Sequence, residues 1–68
     1  MVIKLKSVRL EKGLTQEELA SKVGVSRQTI NYIERGKYKP TILLALKISR
    51  VLEVKVEDIF QLEEGDLK

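Results

Sequence analysis

The chain has 68 residues, 43% of them apolar, a formal net charge of +3, and neither Cys nor His. That length supports one small domain with a single core and little stability to spare. The missing residue types exclude disulfide-stapled folds, thiolate chemistry, zinc fingers and the usual neutral-pH general base; an enzyme reading has no constellation to stand on, and no cofactor or metal is expected.

The first helix begins between Val2 and Lys4 without a clear cap. Lys4, Lys6 and Arg9 interrupt its apolar stretch, which argues against a signal peptide or anchor. The longest apolar run, Ile42 to Leu46, is far short of the ~20 residues of a membrane span, so a cytoplasmic protein with no membrane partner is expected. Gly13, Gly24 and Gly36 each follow a basic or apolar helix end, where a left-handed residue closes a helix. Thr15 and Glu18 form a capping box, and Leu14 with Leu19 a hydrophobic staple, so a second helix starts at Gln16. Ser26 caps a third, stapled by Val25 and Ile30. Thr41, after Pro40, caps a fourth that runs to about Leu52. Val51 to Val56 reads as a loop, because Val54 and Val56 around Lys55 are too brief an alternation for a strand. A last short helix spans Val56 to Gln61, where Glu57 and Asp58 suit the positive end of the helix dipole. The pattern predicts an all-α domain of five helices over residues 1–62, with 63–68 as an acidic, flexible C-terminal tail.

Charge is unevenly distributed. Residues 1–52 hold eleven Lys and Arg against four acids, and residues 53–68 hold two bases against six acids. A clustered basic surface is the electrostatic footprint of a polyanion partner. In the third helix Ile30 and Ile33 point inward with Thr29 beside them, while Arg27, Gln28, Asn31, Tyr32 and Arg35 lie on the other side. A merely solvated helix would carry Glu, Lys and Ala outward. This face has no acid, and it holds the residue types that read base edges and phosphates. Arg9 and Glu34 sit instead toward the core sides of their helices and are expected to pair, fixing the angle between the first and third helices. As a catalytic carboxylate Glu34 would have no second acid, His or metal cluster to work with.

Arg9, the run GLTQEELASKVGVSRQTINYIERGK from Gly13 to Lys37, and Pro40 resemble the lambda-repressor-like helix-turn-helix family (Cro/repressor, XRE-type), and the similarity extends more loosely to Phe60. The resemblance implies a compact five-helix domain in which helices two and three form the motif and helix three enters the major groove of DNA. It implies base contacts by Arg27, Gln28 and Tyr32, with Asn31 close enough to add a base or phosphate contact. Phosphate contacts are implied for Gln16, which also braces the recognition helix, and for Ser26, Arg35, Gly36, Lys37 and Lys39. Arg27 and Tyr32 replace Gln-like residues of some members, so the family supplies the positions but not the base sequence.

The family also implies a homodimer through the region of helices four and five, which offers Leu52, Val54, Val56, Ile59, Phe60 and Leu62, with half-sites roughly 34 Å apart. Phe60 has core as its competing reading. Leu10 and Leu43 stand where relatives tolerate charge, and are either an exposed partner patch or enlarged core edges. The expected function is sequence-specific binding of double-stranded DNA by a transcriptional repressor with no evident small-molecule effector. The same fold acting as an antitoxin or a restriction-system controller, or as an interaction module that has lost DNA binding, are the alternatives.

Overall fold

Helix ends in the computed structural model, which describes residues 1–68, follow the capping chemistry of the chain. The helices are α1 (Leu5–Glu11), α2 (Gln16–Val23), α3 (Arg27–Glu34), α4 (Ile42–Leu52) and α5 (Val56–Ile59). The box at the start of α2 is reciprocal: the Glu18 N–H donates to Thr15 Oγ1 at 3.0 Å and the Thr15 N–H donates to Glu18 Oε1 at 2.8 Å. Ser26 Oγ accepts from the Thr29 N–H at the start of α3, and Thr41 Oγ1 from the Leu44 N–H at the start of α4. Each satisfies one of the donors that a helix start leaves free. Gly24 ends α2 with φ of 77°, and the Val25 N–H then reaches back to the Ala20 carbonyl at 3.0 Å. That closure turns the chain directly into α3.

α4 closes in the same way but without glycine. Glu53 takes φ of 56°, the single non-glycine residue with positive φ, and the Val54 N–H returns to the Ser49 carbonyl at 3.1 Å. A side chain in this left-handed region carries a steric cost of about 1 kcal/mol, so this end is held by its return hydrogen bonds and by the apolar residues on either side.

The all-α, five-helix expectation holds, with local corrections at the chain ends. The all-α reading missed a short antiparallel pair, β1 (Val2–Ile3) with β2 (Phe60–Gln61), in which Val2 faces Gln61 and Ile3 faces Phe60. The first helix accordingly starts at Leu5 and α5 stops at Ile59, not Gln61. Two-residue strands show no alternation to read, and their hydrogen bonds come from tertiary proximity. The Lys4 N–H donates to the Ile59 carbonyl at 2.7 Å, which ties down the one long helix start that lacks a side-chain cap. The segment expected as a tail carries a 3-10 turn, Glu64–Leu67, and the Met1 ammonium lies 2.8 Å from both Glu63 and Asp66 carboxylates. Its hydrogen bonds, to Asp66 first and Glu63 second, hold the ammonium above its ordinary range, and the same contact holds Asp66 below the usual carboxylate range.

The core draws on every helix: Leu5 from α1; Leu19, Ala20 and Val23 from α2; Ile30 and Ile33 from α3; Leu44, Ile48 and Leu52 from α4; Ile59 from α5. Each fully buried Leu or Ile contributes roughly 1.5–3 kcal/mol over its exposed state, a large share of the margin available to a domain this small. No helix is long and apolar enough to cross a membrane.

Two outcomes follow from the capping geometry. Glu53→Gly relieves the left-handed strain and raises stability by roughly 0.5–1 kcal/mol; chemical denaturation checks it, and a lower midpoint would contradict the strain. The Thr15 backbone N–H and then its hydroxyl hold Glu18 below its ordinary range. A depressed carboxylate adds stability fully present above its unfolded pKa, about 4.3, and lost as pH falls through the lower folded value. The stability gap between wild type and Glu18→Ala therefore shrinks on acidification to about pH 3. A gap that stayed constant would show that the charge of Glu18 does not matter to the cap.

Candidate nucleic-acid interface

α2, the turn at Gly24, and α3 form one unit because their apolar faces meet: Leu19, Ala20 and Val23 pack with Ile30 and Ile33. With the inward side of α3 fixed in this way, Arg27, Gln28 and Tyr32 are exposed and Asn31 is half-buried. Gln28 Nε2 and the Tyr32 hydroxyl lie 3.2 Å apart, one helical turn from each other. Ser26 is exposed at the head of α3, its hydroxyl shared between the Thr29 N–H and, at 3.0 Å, Thr29 Oγ1.

After α3 the chain turns through Arg35 and Gly36, the latter at φ of 72°, and the Lys37 N–H donates to the Tyr32 carbonyl at 2.8 Å. Arg35, Gly36, Lys37 and Lys39 are all exposed. Ion pairs form only at Arg9 and at the Met1 ammonium, so Arg27, Arg35 and Lys37 are uncompensated cations. Lys39 is set apart from them: its charge is one of the influences that hold Asp66 low, which puts it toward the acidic end of the chain.

The one acid of α3 is turned away from this face. Arg9 Nε donates to Glu34 Oε2 at 2.6 Å, and Arg9 Nη2 to Glu34 Oε1 at 3.2 Å. Arg9 Nη1 donates to the Leu14 carbonyl at 2.8 Å. The Glu34 side chain is 3% exposed. Gln16, the first residue of α2, completes the cluster: its Nε2 donates to Glu34 Oε1 at 3.0 Å and reaches Asn31 Oδ1 at 3.4 Å. α1, α2 and α3 are thus joined by one polar cluster in which no buried polar side-chain atom lacks a partner.

Short capped helices joined at a left-handed glycine, with a basic acid-free outer face on the second, agree with a comparison by sequence: a helix-turn-helix family model matches residues 5–59. The chain belongs to that family. It is 56% identical to the HTH-type transcriptional regulator MJ0272 of Methanocaldococcus jannaschii over 63 residues, covering 93% of this chain and 96% of that protein. Among solved structures it is similar to the restriction-modification controller protein C.AhdI from Aeromonas hydrophila, with TM-score 0.77 and 32% identity over 82% of this chain and 85% of that one. It is also similar to the master regulator for biofilm formation SinR in complex with DNA, with TM-score 0.74 and 40% identity over 79% of this chain and 87% of that one.

Several residues of this helix-turn-helix protein lie elsewhere than the sequence suggests. Leu52 is 1% exposed and Ile59 fully buried, so neither offers a surface to a second copy; the periodicity of α4 and α5 turns both into the domain's own core. Val54, Val56 and Phe60 are half-buried, Val54 and Phe60 packing on that core, and Leu62 is exposed. Leu10 and Leu43 are exposed and are not core edges. Sequence reasoning missed Ile42 and Leu46, which join Leu43 as exposed apolar residues on α4. Spacing was the available signal, because an apolar run on a helix that packs on one side must leave some members outside. Tyr38 was missed as well. It is 40% exposed between Lys37 and Lys39, and an aromatic between two lysines just after α3 was the signal for it.

Breaking the buried pair from one side leaves the other charge uncompensated, which costs about 3–5 kcal/mol. Arg9→Met is expected to destabilise by that amount, while Arg9→Met with Glu34→Leu recovers most of it. Urea denaturation of both variants checks this; a single substitution costing under ~1 kcal/mol would mean that water reaches the pair.

Proposed function

We propose that this helix-turn-helix protein is a sequence-specific DNA-binding transcriptional regulator that acts as a homodimer, lies with α3 in the major groove, and represses by covering its site. One observation carries the reading above the others. The exposed side of α3 presents Arg27, Gln28 and Tyr32 and continues into Arg35 and Lys37, while its acid is withdrawn into a pair with Arg9. A face of that kind attracts phosphates and carries donors and acceptors for base edges. An interaction module that had lost DNA binding would have no need to exclude acid from it.

Arg27, Gln28, Asn31 and Tyr32 are the proposed base readers. Gln16, Ser26, Arg35, Gly36, Lys37 and Lys39 are the proposed phosphate contacts, with the Tyr38 hydroxyl added to them. Lys39 contributes least, because part of its field acts on Asp66. With Leu52 in the core, the proposed dimer surface reduces to Val54, Val56, Phe60 and the exposed Leu62. The protein would work in the cytoplasm, in reach of DNA, with no cofactor. The likeness to C.AhdI favours one second reading, a restriction-system controller, which would use the same DNA contacts at a different gene.

Selection of bound duplexes from a random library tests the reading. A palindrome with half-sites roughly 34 Å apart is expected, and a pool with no enriched sequence would remove the specific reading. Lys37→Ala should weaken binding about equally on all sequences and lower the salt slope by about one. Gln28→Ala should cost roughly 1–3 kcal/mol on the selected site and relax one base position. Equal losses on selected and random DNA would exclude Gln28 as a base reader.

A further inference from the structure

Two amide side chains on α3 face the proposed groove, and only one of them has its direction fixed from inside the protein. Glu34 is held bidentate by Arg9 and offers only acceptor oxygens. The atom of Gln16 that meets it at 3.0 Å is therefore the amide nitrogen. The same nitrogen is 3.4 Å from Asn31, and the Asn31 atom facing a second N–H has to be the oxygen. The Asn31 oxygen is thus engaged within the protein, while its NH2 donates to no group of the chain. Asn31 is half-buried, yet no buried polar side-chain atom is without a partner, so this NH2 reaches the surface. Direction passes from Arg9 to Glu34, to Gln16, and so to Asn31.

Gln28 is a contrast on the same face. Its neighbour is the Tyr32 hydroxyl at 3.2 Å, which can donate or accept, so either end of the Gln28 amide can turn outward. Asn31 has no such choice as long as Gln16 is present.

Resting on the reading that α3 enters the major groove, we propose that Asn31 is a donor-only base reader whose polarity is set by Gln16 and the buried Arg9–Glu34 pair. In the major groove guanine offers two acceptors, N7 and O6; adenine offers one acceptor beside a donor; thymine offers one acceptor, O4, beside a methyl group; cytosine offers a donor. A free NH2 with its own oxygen occupied matches guanine first and cannot form the two-bond pairing by which asparagine reads adenine. Gln16 is then a positioning residue for specificity in addition to its proposed phosphate contact.

Duplex selection with wild type, Gln16→Ala and Asn31→Asp, together with NMR exchange of side-chain amide protons in the DNA-free protein, tests the proposal. Exchange should be slowed at the Gln16 NH2 and at the open-solvent rate for the Asn31 NH2. Wild type should select guanine at the position that Asn31→Asp alters, and Asn31→Asp, presenting only acceptors, should move the preference there toward cytosine. Gln16→Ala lowers affinity on every sequence, and in addition the guanine-over-adenine ratio at this position should fall about tenfold. Any base other than guanine selected there by wild type, an Asn31→Asp loss equal on all sequences, or an unchanged ratio in Gln16→Ala would each overturn the proposal. If wild type enriched no duplex, the DNA reading itself would fail, and amide exchange would still decide the polarity: a slowed Asn31 NH2 overturns it, and a freely exchanging one upholds it.

Discussion

The buried pair between Arg9 and Glu34 is the constraint on which the rest of the molecule depends. Burying two charges costs several kcal/mol of lost hydration, and their attraction offsets this only when the geometry is close and the remaining donors and acceptors are used. Here every nitrogen and oxygen of the pair has a partner: the pair is bidentate, the third Arg9 nitrogen meets the Leu14 carbonyl, and Gln16 adds a second donor to Glu34 Oε1. An apolar pair of similar volume would give comparable stability. It would not give the same surface, because the carboxylate that locks α3 to α1 is also the one acid of α3, and its burial leaves the outer face of that helix without a negative charge.

The helices of the domain are too short to be stable alone. The longest, α4, has 11 residues, below the roughly 12–15 at which even good helix formers become marginal in water. Each is therefore held by its ends and by the core. Thr15, Ser26 and Thr41 supply the starts, and left-handed residues with return hydrogen bonds supply most of the ends. α1, which has no side-chain cap, is tied by the Lys4 N–H to the Ile59 carbonyl. The same corner gathers the Met1 ammonium with Glu63 and Asp66, so one positive charge is shared by two of the acids at the C-terminal end.

Legibility in the sequence followed the range of the interactions. The start of α2 and the caps of α3 and α4 lie within three residues of their partners and could be read directly. The inward direction of Ile30 and Ile33 could be read from spacing, and with it the Arg9–Glu34 pair, because two charges on apolar faces need each other. The β1–β2 pairing joins the two ends of the chain and leaves no local trace. Glu53 in a left-handed conformation breaks the glycine rule that identified Gly13, Gly24 and Gly36, and only the tertiary setting of α4 accounts for it. Leu52 was assigned to a partner surface because the family places one in that region; its own domain buries it first. Exposure of Ile42, Leu43 and Leu46 depended on which side of α4 packs, which a run of apolar residues does not reveal.

On the proposed reading, the same cluster divides the recognition face into side chains that are already placed and side chains that still have to choose. A side chain rich in rotamers loses roughly 0.5–1.5 kcal/mol of entropy when it is immobilised at an interface. Arg27 and Gln28 bear that cost on meeting DNA, since nothing buried holds them. Asn31 has met part of it on folding, through its contact with Gln16. A preplaced donor discriminates more sharply than a free one, because it cannot turn to suit the wrong base; a free arginine or glutamine adapts and tolerates more sequences. Specificity in this protein is then strongest where the α3 surface is coupled to the Arg9–Glu34 pair, and broadest at the exposed first turn of the helix.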